Sequence, residues 1–480
     1  MSLLVRPRLD RTFLKIVGTI AAVLFVMALA STLRNGSPKS AIVAVAVAAF
    51  PVLLYVASRW PIVFPFGLYV FLIPFDPLLA FSGVGGTLTR IVGICAIGAL
   101  IFRAVISRRI LVPPASWVAW FSFLVLMTLS VTWSIAVDAS SRPLQIIANL
   151  FALFTVAAMY PITFGELRVV RGITLAAGVG TALYGFYAFH ATQLPANPLN
   201  KHAERLVLRS GHITMDPNHY AAFFLIPMAF ALSAFLIDRN LLRRLGYAAT
   251  FAIMAAEISA TGSRGGFLGA AILVLFLGIR SRRYVATAVT IAGGLAISFA
   301  IPNVWQRFAD KTQGDNSGRN EIWSTGLRAF HDYWMFGSGF GTFADAYDKY
   351  LLLSNQKEFQ GWYRPAHNLI VSIAVELGVF GLVVLGFTIW NTLRQTRAIP
   401  REHPLFSYRI AVEGMLVALL LMSLTVDLLW YKYFWLALTL NVLLANVYAP
   451  RAFRTPATTR LTPSQPAIAR APAARARARF

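Results

Sequence analysis

The sequence predicts an all-α, polytopic integral membrane protein of about 12–14 transmembrane helices with one large, partly helical periplasmic loop. Three observations lead there. Of 480 residues, 58% are hydrophobic and only 13% are charged, with a mean hydropathy of +0.65, whereas about a quarter of a soluble domain is charged. Apolar runs close to the roughly 20 residues of a membrane span recur along the chain. The 43 Lys and Arg, against 19 Asp and Glu, cluster in short stretches between those runs, as cytoplasmic loops require. The net charge of +24 therefore reflects topology and not nucleic-acid binding, for which no motif accompanies it. The single cysteine, Cys95, lies inside an apolar run, which leaves no intrachain disulfide and no cysteine-based metal cluster.

The elements follow in order. A first run near 12–33 is long enough to span and is read as a retained helix, since a secretory signal is shorter. Runs near 41–57, 61–80, 88–106, 112–133, 143–163 and 170–190 complete an N-terminal set over 1–190. A hydrophilic loop, 191–217, separates it from central helices within 218–301, near 218–237, 245–261, 265–280 and 284–301. A longer loop, 302–366, precedes the C-terminal set over 367–449, near 367–391, 407–426 and 429–449. The remainder, 450–480, has seven arginines and no acid and reads as a disordered basic tail lying against anionic membrane lipids.

With fourteen helices, arginine groups such as Arg103, Arg108 and Arg109, or Arg280, Arg282 and Arg283, all fall on one side. That side is the cytoplasm, both termini included. Both hydrophilic loops then lie outside, and in the second, acids and bases balance. Residues 319–331 read as an amphipathic helix on the membrane surface, with Ile322, Trp323, Leu327 and Phe330 on one face.

Four polar motifs share the outer face. In "RSGHITMDPNHYAAFF", Arg209, His212, Asp216, Asn218 and His219 lead into an apolar helix, and Asp216-Pro217 suits a helix start, so that capping alone accounts for the aspartate. In "SATGSRGGFLGA" the glycines read as a turn, while Arg264 stands on the side where the inside rule gives it no reason to be. Charges near membrane depth are paired or functional. In "NSGRNEIWSTGLRAFHDYWMFGSGFGTF", Arg319 opens a helix, a poor place for a cation but a good one beside a phosphate. The "GSGFGTF" run lacks the lysine and the strand context of a phosphate loop and reads as a turn. In "GWYRPAHNLIVSIAVELGVFG", Arg364, His367 and Asn368 stand where water stops, with Glu376 deeper and placed to hydrogen-bond between helices. A histidine in a first helical turn has its charged form disfavoured, so His367 can serve as an unprotonated base. Arginine forks and one base, with no carboxylate or cysteine cluster of metal-ligand spacing, suit a diphosphate-bearing lipid with no metal or other cofactor.

"TGSRGG", "SGRNEIWSTGLRAFHDYWMFGSGFGTF" and "AHNLIVSIAVELGVFGLVVL", with "MDPNHYA" before them, resemble in order and spacing the O-antigen ligase and polymerase family of bacterial inner membranes, over about residues 205–390. The resemblance implies an inverting, metal-independent glycosyltransferase with its active site facing the periplasm. Its donor would be an undecaprenyl-diphosphate-linked glycan, and its acceptor lipid A-core for a ligase or a growing glycan for an O-antigen or exopolysaccharide polymerase. It assigns donor-diphosphate contacts to Arg264 and Arg319 and the acceptor-activating base to His367. Arg209, Asp216, Asn218, His219, Arg364 and Asn368 are possible substrate-binding residues, Arg209 and Arg364 by position alone. The family shows about twelve helices and no basic tail, so the N-terminal boundaries and the tail depart from its pattern. A rival of another class, a transporter or flippase for the lipid-linked glycan, predicts charges spread through the membrane depth; Asp76, Glu257, Glu376, Glu413 and Asp427 are the few candidates. A purely structural membrane subunit leaves the outer arginines without purpose.

Overall fold

In the computed structural model of the chain, the residues described are 52–80, 86–191, 205–207, 209–210, 213–301, 303–309, 318–353 and 361–449. The expected helix near 12–33, most of that near 41–57, and the basic tail lie outside them. From residue 61 onward each apolar segment folds as helix. The order is α1 (Phe66–Leu72), a 3-10 turn (Ile73–Leu79), α2 (Leu88–Ser107), α3 (Ala115–Leu129), α4 (Val137–Met159) and α5 (Phe164–Ala191). A two-residue ribbon follows, β1 (Arg209–Ser210) antiparallel to β2 (Ile213–Thr214). Then come α6 (Pro217–Ile237), α7 (Leu241–Ala260), α8 (Arg264–Ser281), α9 (Tyr284–Ala300) and short α10 (Asn303–Ala309). The long loop carries α11 (Arg319–Asp332) and α12 (Phe343–Leu351), and the chain closes with α13 (Leu369–Arg394), α14 (Phe406–Met422) and α15 (Lys432–Tyr448). Among the described residues, seven helices are long and apolar enough to cross a membrane. The protein is an all-α polytopic membrane protein.

Burial sorts these helices into inner and outer ones. In α6, 89% of the most apolar window is buried, because α5, α7, α8 and α14 surround it, and its sequence is accordingly apolar all round. In α2 the figure is 28%, and Ile91, Ile94, Phe102 and Val105 point out of the bundle, where a membrane helix meets lipid. Several buried polar groups inside the bundle find partners on neighbouring helices, as a medium without water favours. Glu413 accepts from Arg280 and Arg409, each at 2.8 Å, and the Asn441 amide donates to the Thr392 carbonyl at 2.8 Å.

Helix α13 is broken at Gly378, whose φ of 68° is left-handed. The break frees backbone groups inside the bundle, and the loop between α11 and α12 takes them up. Val379 N–H donates to the Trp334 carbonyl (2.8 Å), while Ser338 and Gly339 N–H donate to Val375 and Glu376 carbonyls (2.9 Å each). Gly337 N–H goes to Tyr333 and Phe340 N–H to the Ser130 hydroxyl. The "GSGFGTF" amides are thus spent on protein partners, and the run is the turn that its composition predicts. Glu376 is buried and accepts from Phe343 N–H at 3.2 Å, tying α13 to α12. Gly337 has φ 79°, and a methyl there would overlap the Glu376 carbonyl. Gly337→Ala is expected to destabilise the protein by roughly 1–3 kcal/mol or more, read as a lower Tm of the detergent-solubilised chain; an unchanged Tm would show that the loop and α13 are not locked together.

One expectation about the loop is corrected. The apolar face of α11 packs on protein and not on a membrane surface: Ile322 is buried and Trp323 and Phe330 are partly buried against α12, beside buried Thr325, Gly326 and Ala329, while Leu327 is 53% exposed. These small residues let α11 pack closely on α12 and α13, with Gly326 lying against Phe343 and Val371. Of the expected stripe, Leu327 alone turns outward, and the small residues Thr325, Gly326 and Ala329 complete the buried face.

Candidate active site

Four helix starts meet at one end of the bundle. Asp216 caps α6, its Oδ1 accepting from Asn218 N–H (2.7 Å) and His219 N–H (3.3 Å), with Pro217 in the first helical position. Ser263 caps α8 by accepting from Gly266 N–H (3.1 Å), and its hydroxyl donates to Asn218 Oδ1 at 2.7 Å. The two starts are thereby clamped side by side, and Arg264 stands beside the clamp as the first residue of α8. Its neighbour Gly265 lies against Thr425, while Leu369 N–H at the start of α13 donates to Ser423 at 2.9 Å. The turn 423–425 thus touches both the residue after Arg264 and the start of α13. On the other side, the Trp323 indole of α11 donates to the Ala366 carbonyl at 2.8 Å, which holds Arg319 near His367.

His367 has φ 49°, a left-handed conformation uncommon outside glycine. Strained backbone of this kind persists where the surroundings fix it, often at functional sites. Asn368 does part of the fixing, since its Oδ1 accepts from Ile370 N–H (2.9 Å) and Val371 N–H (3.2 Å). The imidazole is half-buried, and among the described residues no hydrogen bond engages it. Desolvation, then repulsion from Arg319 and Arg364, lowers its pKa below the ordinary 6.5, against an opposing pull from Asp216. At neutral pH the ring is an uncharged base. Asp216 moves the other way from its surroundings: desolvation raises it, but His219, the two capping amides and Arg205 together hold its carboxyl below the usual range.

Arg319, Arg364 and Asp216 thus act electrostatically on His367, and His219 feels both Asp216 and His367. Arg264 makes no hydrogen bond or ion pair among the described residues. The Arg364 Nε is buried without a hydrogen-bond partner. Asn218 and Asn368 spend their carbonyl oxygens on the fold. His219 is buried, its Nδ1 2.8 Å from the Tyr433 hydroxyl and its ring stacked on Tyr431 at 3.7 Å. Arg209 stands on β1, its backbone opposite Thr214, and His212 lies outside the described residues. Sequence reasoning missed Arg205, which is buried with its Nε donating to the Thr261 carbonyl at 2.6 Å. It also missed Tyr431 and Tyr433, for which the aromatic run "WYKYFW" opening the last helix was the available signal.

Fixed cations around an uncharged imidazole can bind a di-anion and take a proton from a hydroxyl beside it. The fold is that of a polytopic membrane protein, with arginines and a histidine gathered at the starts of its helices. Residues 249–386, from α7 into α13, match the model of a family described as O-Antigen ligase. The match supports in general terms a membrane glycosyltransferase-like enzyme of ligase or polymerase type, with lipid-linked glycan and acceptor as substrates. No curated protein matches the chain.

Proposed function

We propose that the protein transfers a glycan from undecaprenyl diphosphate to a sugar hydroxyl of an acceptor, inverting the anomeric centre, at the periplasmic face of the bacterial inner membrane. Both termini are cytoplasmic in this reading. The observation that carries it is the half-buried His367 in a left-handed backbone conformation, with Arg319 and Arg364 near enough to act on its charge. A ring nitrogen of His367 takes the acceptor hydroxyl's proton as the oxygen attacks the anomeric carbon. The bond from that carbon to the diphosphate oxygen breaks with its electron pair, and the diphosphate leaves against Arg264 and Arg319. Guanidinium forks match phosphate oxygens bidentately and stay charged throughout, so no metal is assigned a role. The proton passes from His367 to water, which resets the base.

The acceptor we favour is lipid A-core, the reaction of an O-antigen ligase. An O-antigen or exopolysaccharide polymerase would use the same chemistry on a second lipid-linked glycan. Purified protein supplied with lipid-linked glycan and either acceptor, in the presence of a chelator, separates the two and tests metal independence. In cells lacking their own ligase or polymerase, capped lipopolysaccharide or polymer made normally by well-expressed His367→Ala, Arg264→Ala and Arg319→Ala variants would rule the reading out.

The base assignment also fixes a pH profile. Because His367 works unprotonated, kcat/KM is expected to fall on the acid side with an inflection below 6.5. Arg364→Gln removes a cation that disfavours the imidazolium, so the inflection moves to higher pH. No movement, or movement toward acid, contradicts the assignment.

A further inference from the structure

Two large aromatic side chains stand in the open just ahead of the base. Trp362 is 55% and Tyr363 is 58% exposed, and they precede His367 by five and four residues. Neighbouring exposed rings in a loop mark a contact surface. Tyr363 is held firmly in place. Its backbone has φ 56°, a left-handed conformation that a residue of its bulk rarely takes, and its N–H donates to Asp348 Oδ1 of α12 at 2.6 Å. The next residue, Arg364, acts electrostatically on His367, and the Trp323 indole fixes Ala366. Ring, guanidinium and imidazole therefore share one short stretch of chain that is anchored at both ends.

The groups beside Tyr363 are acids without cations. Asp345 and Asp348 lie three residues apart on α12, and both act electrostatically on the Tyr363 hydroxyl. Among the described residues neither carboxylate forms an ion pair. Asp345 Oδ2 is buried with no hydrogen-bond partner, and neither Asp348 Oδ2 nor the Tyr363 hydroxyl makes a hydrogen bond to a described residue. A carboxylate can only accept, so whatever covers this surface has to bring donors. An anionic membrane surface brings phosphates, which uncompensated carboxylates repel. A sugar ring suits both halves of the surface: its hydroxyls donate, and its C–H face, which is partly positive, matches the negative face of an aromatic ring.

We propose that Trp362 and Tyr363 form a platform on which a sugar ring of the acceptor stacks, with Asp345 and Asp348 accepting from its hydroxyls. The site is separate from the Arg264 and Arg319 pair and binds no phosphate. That the ring belongs to the acceptor rests on the transferase reading; that the platform binds a sugar does not. A ring seated there lies next to the imidazole, and the fixed backbone of Tyr363 decides which of its hydroxyls His367 reaches.

The test is saturation-transfer difference NMR on the full chain in detergent, with no donor present. One sample holds core oligosaccharide released from lipid A, a second the free repeat-unit oligosaccharide. Saturation of aromatic protons is expected to reach the ring C–H protons of one of them: the core marks the acceptor of a ligase, the repeat unit that of a polymerase. Trp362→Ala and Tyr363→Ala should each weaken that binding about tenfold through loss of one stacked ring. They should raise the acceptor KM to a similar extent and leave the donor KM unchanged. Tyr363→Phe keeps the ring face and should bind nearly as the unaltered protein does. Because no donor is present, sugar binding by a chain that transfers no glycan would end the transferase reading and leave the platform standing. Three results would overturn the proposal. One is the absence of saturation transfer to either oligosaccharide. Another is undiminished binding in both alanine variants, which marks the two rings as an anchor at the membrane interface. The last is equal loss in Tyr363→Phe and Tyr363→Ala, which ties binding to the hydroxyl and not to the ring face.

Discussion

His367→Ala lowers glycan transfer by roughly 10²–10⁴-fold, the usual contribution of a positioned general base, while donor binding is retained. The expectation follows from what the competing bases are doing. Asp216 spends its Oδ1 on two backbone amides, and His219, the capping amides and Arg205 hold its carboxyl below the ordinary range, which makes it a poor proton acceptor at neutral pH. His219 has one ring nitrogen against the Tyr433 hydroxyl and its face against Tyr431. The His367 ring alone among these is free of hydrogen bonds to described residues, half-buried, and kept uncharged by two neighbouring arginines. Its removal takes away the proton acceptor and leaves the arginines in place. A single-turnover assay with bound donor separates the lost chemical step from binding, and transfer at the normal rate by the alanine variant would refute the role.

Arg264→Ala and Arg319→Ala are each expected to cost roughly 10²–10³-fold in kcat/KM, the scale of losing one fixed donor to developing negative charge. Lysine at either place should recover only part, because an ammonium cannot fork onto two phosphate oxygens. Stability is the control that identifies the role. Arg319 occupies the first position of α11, where a cation works against the helix end by about 0.3–1 kcal/mol. Arg264 likewise opens α8 and has no described protein partner. Lost activity without lost stability is the signature of a substrate contact, and a parallel fall in both would assign these arginines to the fold.

Much of the fold was legible because the bilayer imposes a length and a hydropathy on every span, and the segments from residue 61 onward appear as helices where apolar runs stand. Helix starts were legible as well: Asp216-Pro217 and Asn368 carry the residue types that cap free amides, and both do so. The break in α13 was not. Gly378 in "VELGVFG" looks like any glycine in a membrane helix, and its left-handed φ becomes tolerable only because a loop some forty residues earlier supplies the missing hydrogen bonds. The face of α11 was legible in Ile322, Trp323 and Phe330, but its partner was not: the chain's own α12 and α13, and not a membrane surface, cover it, and close approach there selects Thr325, Gly326 and Ala329. At the candidate site, single arginines stood out when they violated the charge rule, as Arg264 did. Arg205 lay in a hydrophilic stretch where arginine is unremarked.

The central claim is that the arginines hold a lipid diphosphate while His367 acts on a different atom. Equilibrium binding of undecaprenyl diphosphate to the purified chain tests this most directly, measured in parallel for His367→Ala, Arg264→Gln and Arg319→Gln. The account expects the histidine variant to bind as the unaltered protein does and each arginine variant to bind at least about tenfold more weakly. Undiminished binding by both arginine variants, or its loss in the histidine variant, would contradict the division of labour on which the mechanism stands.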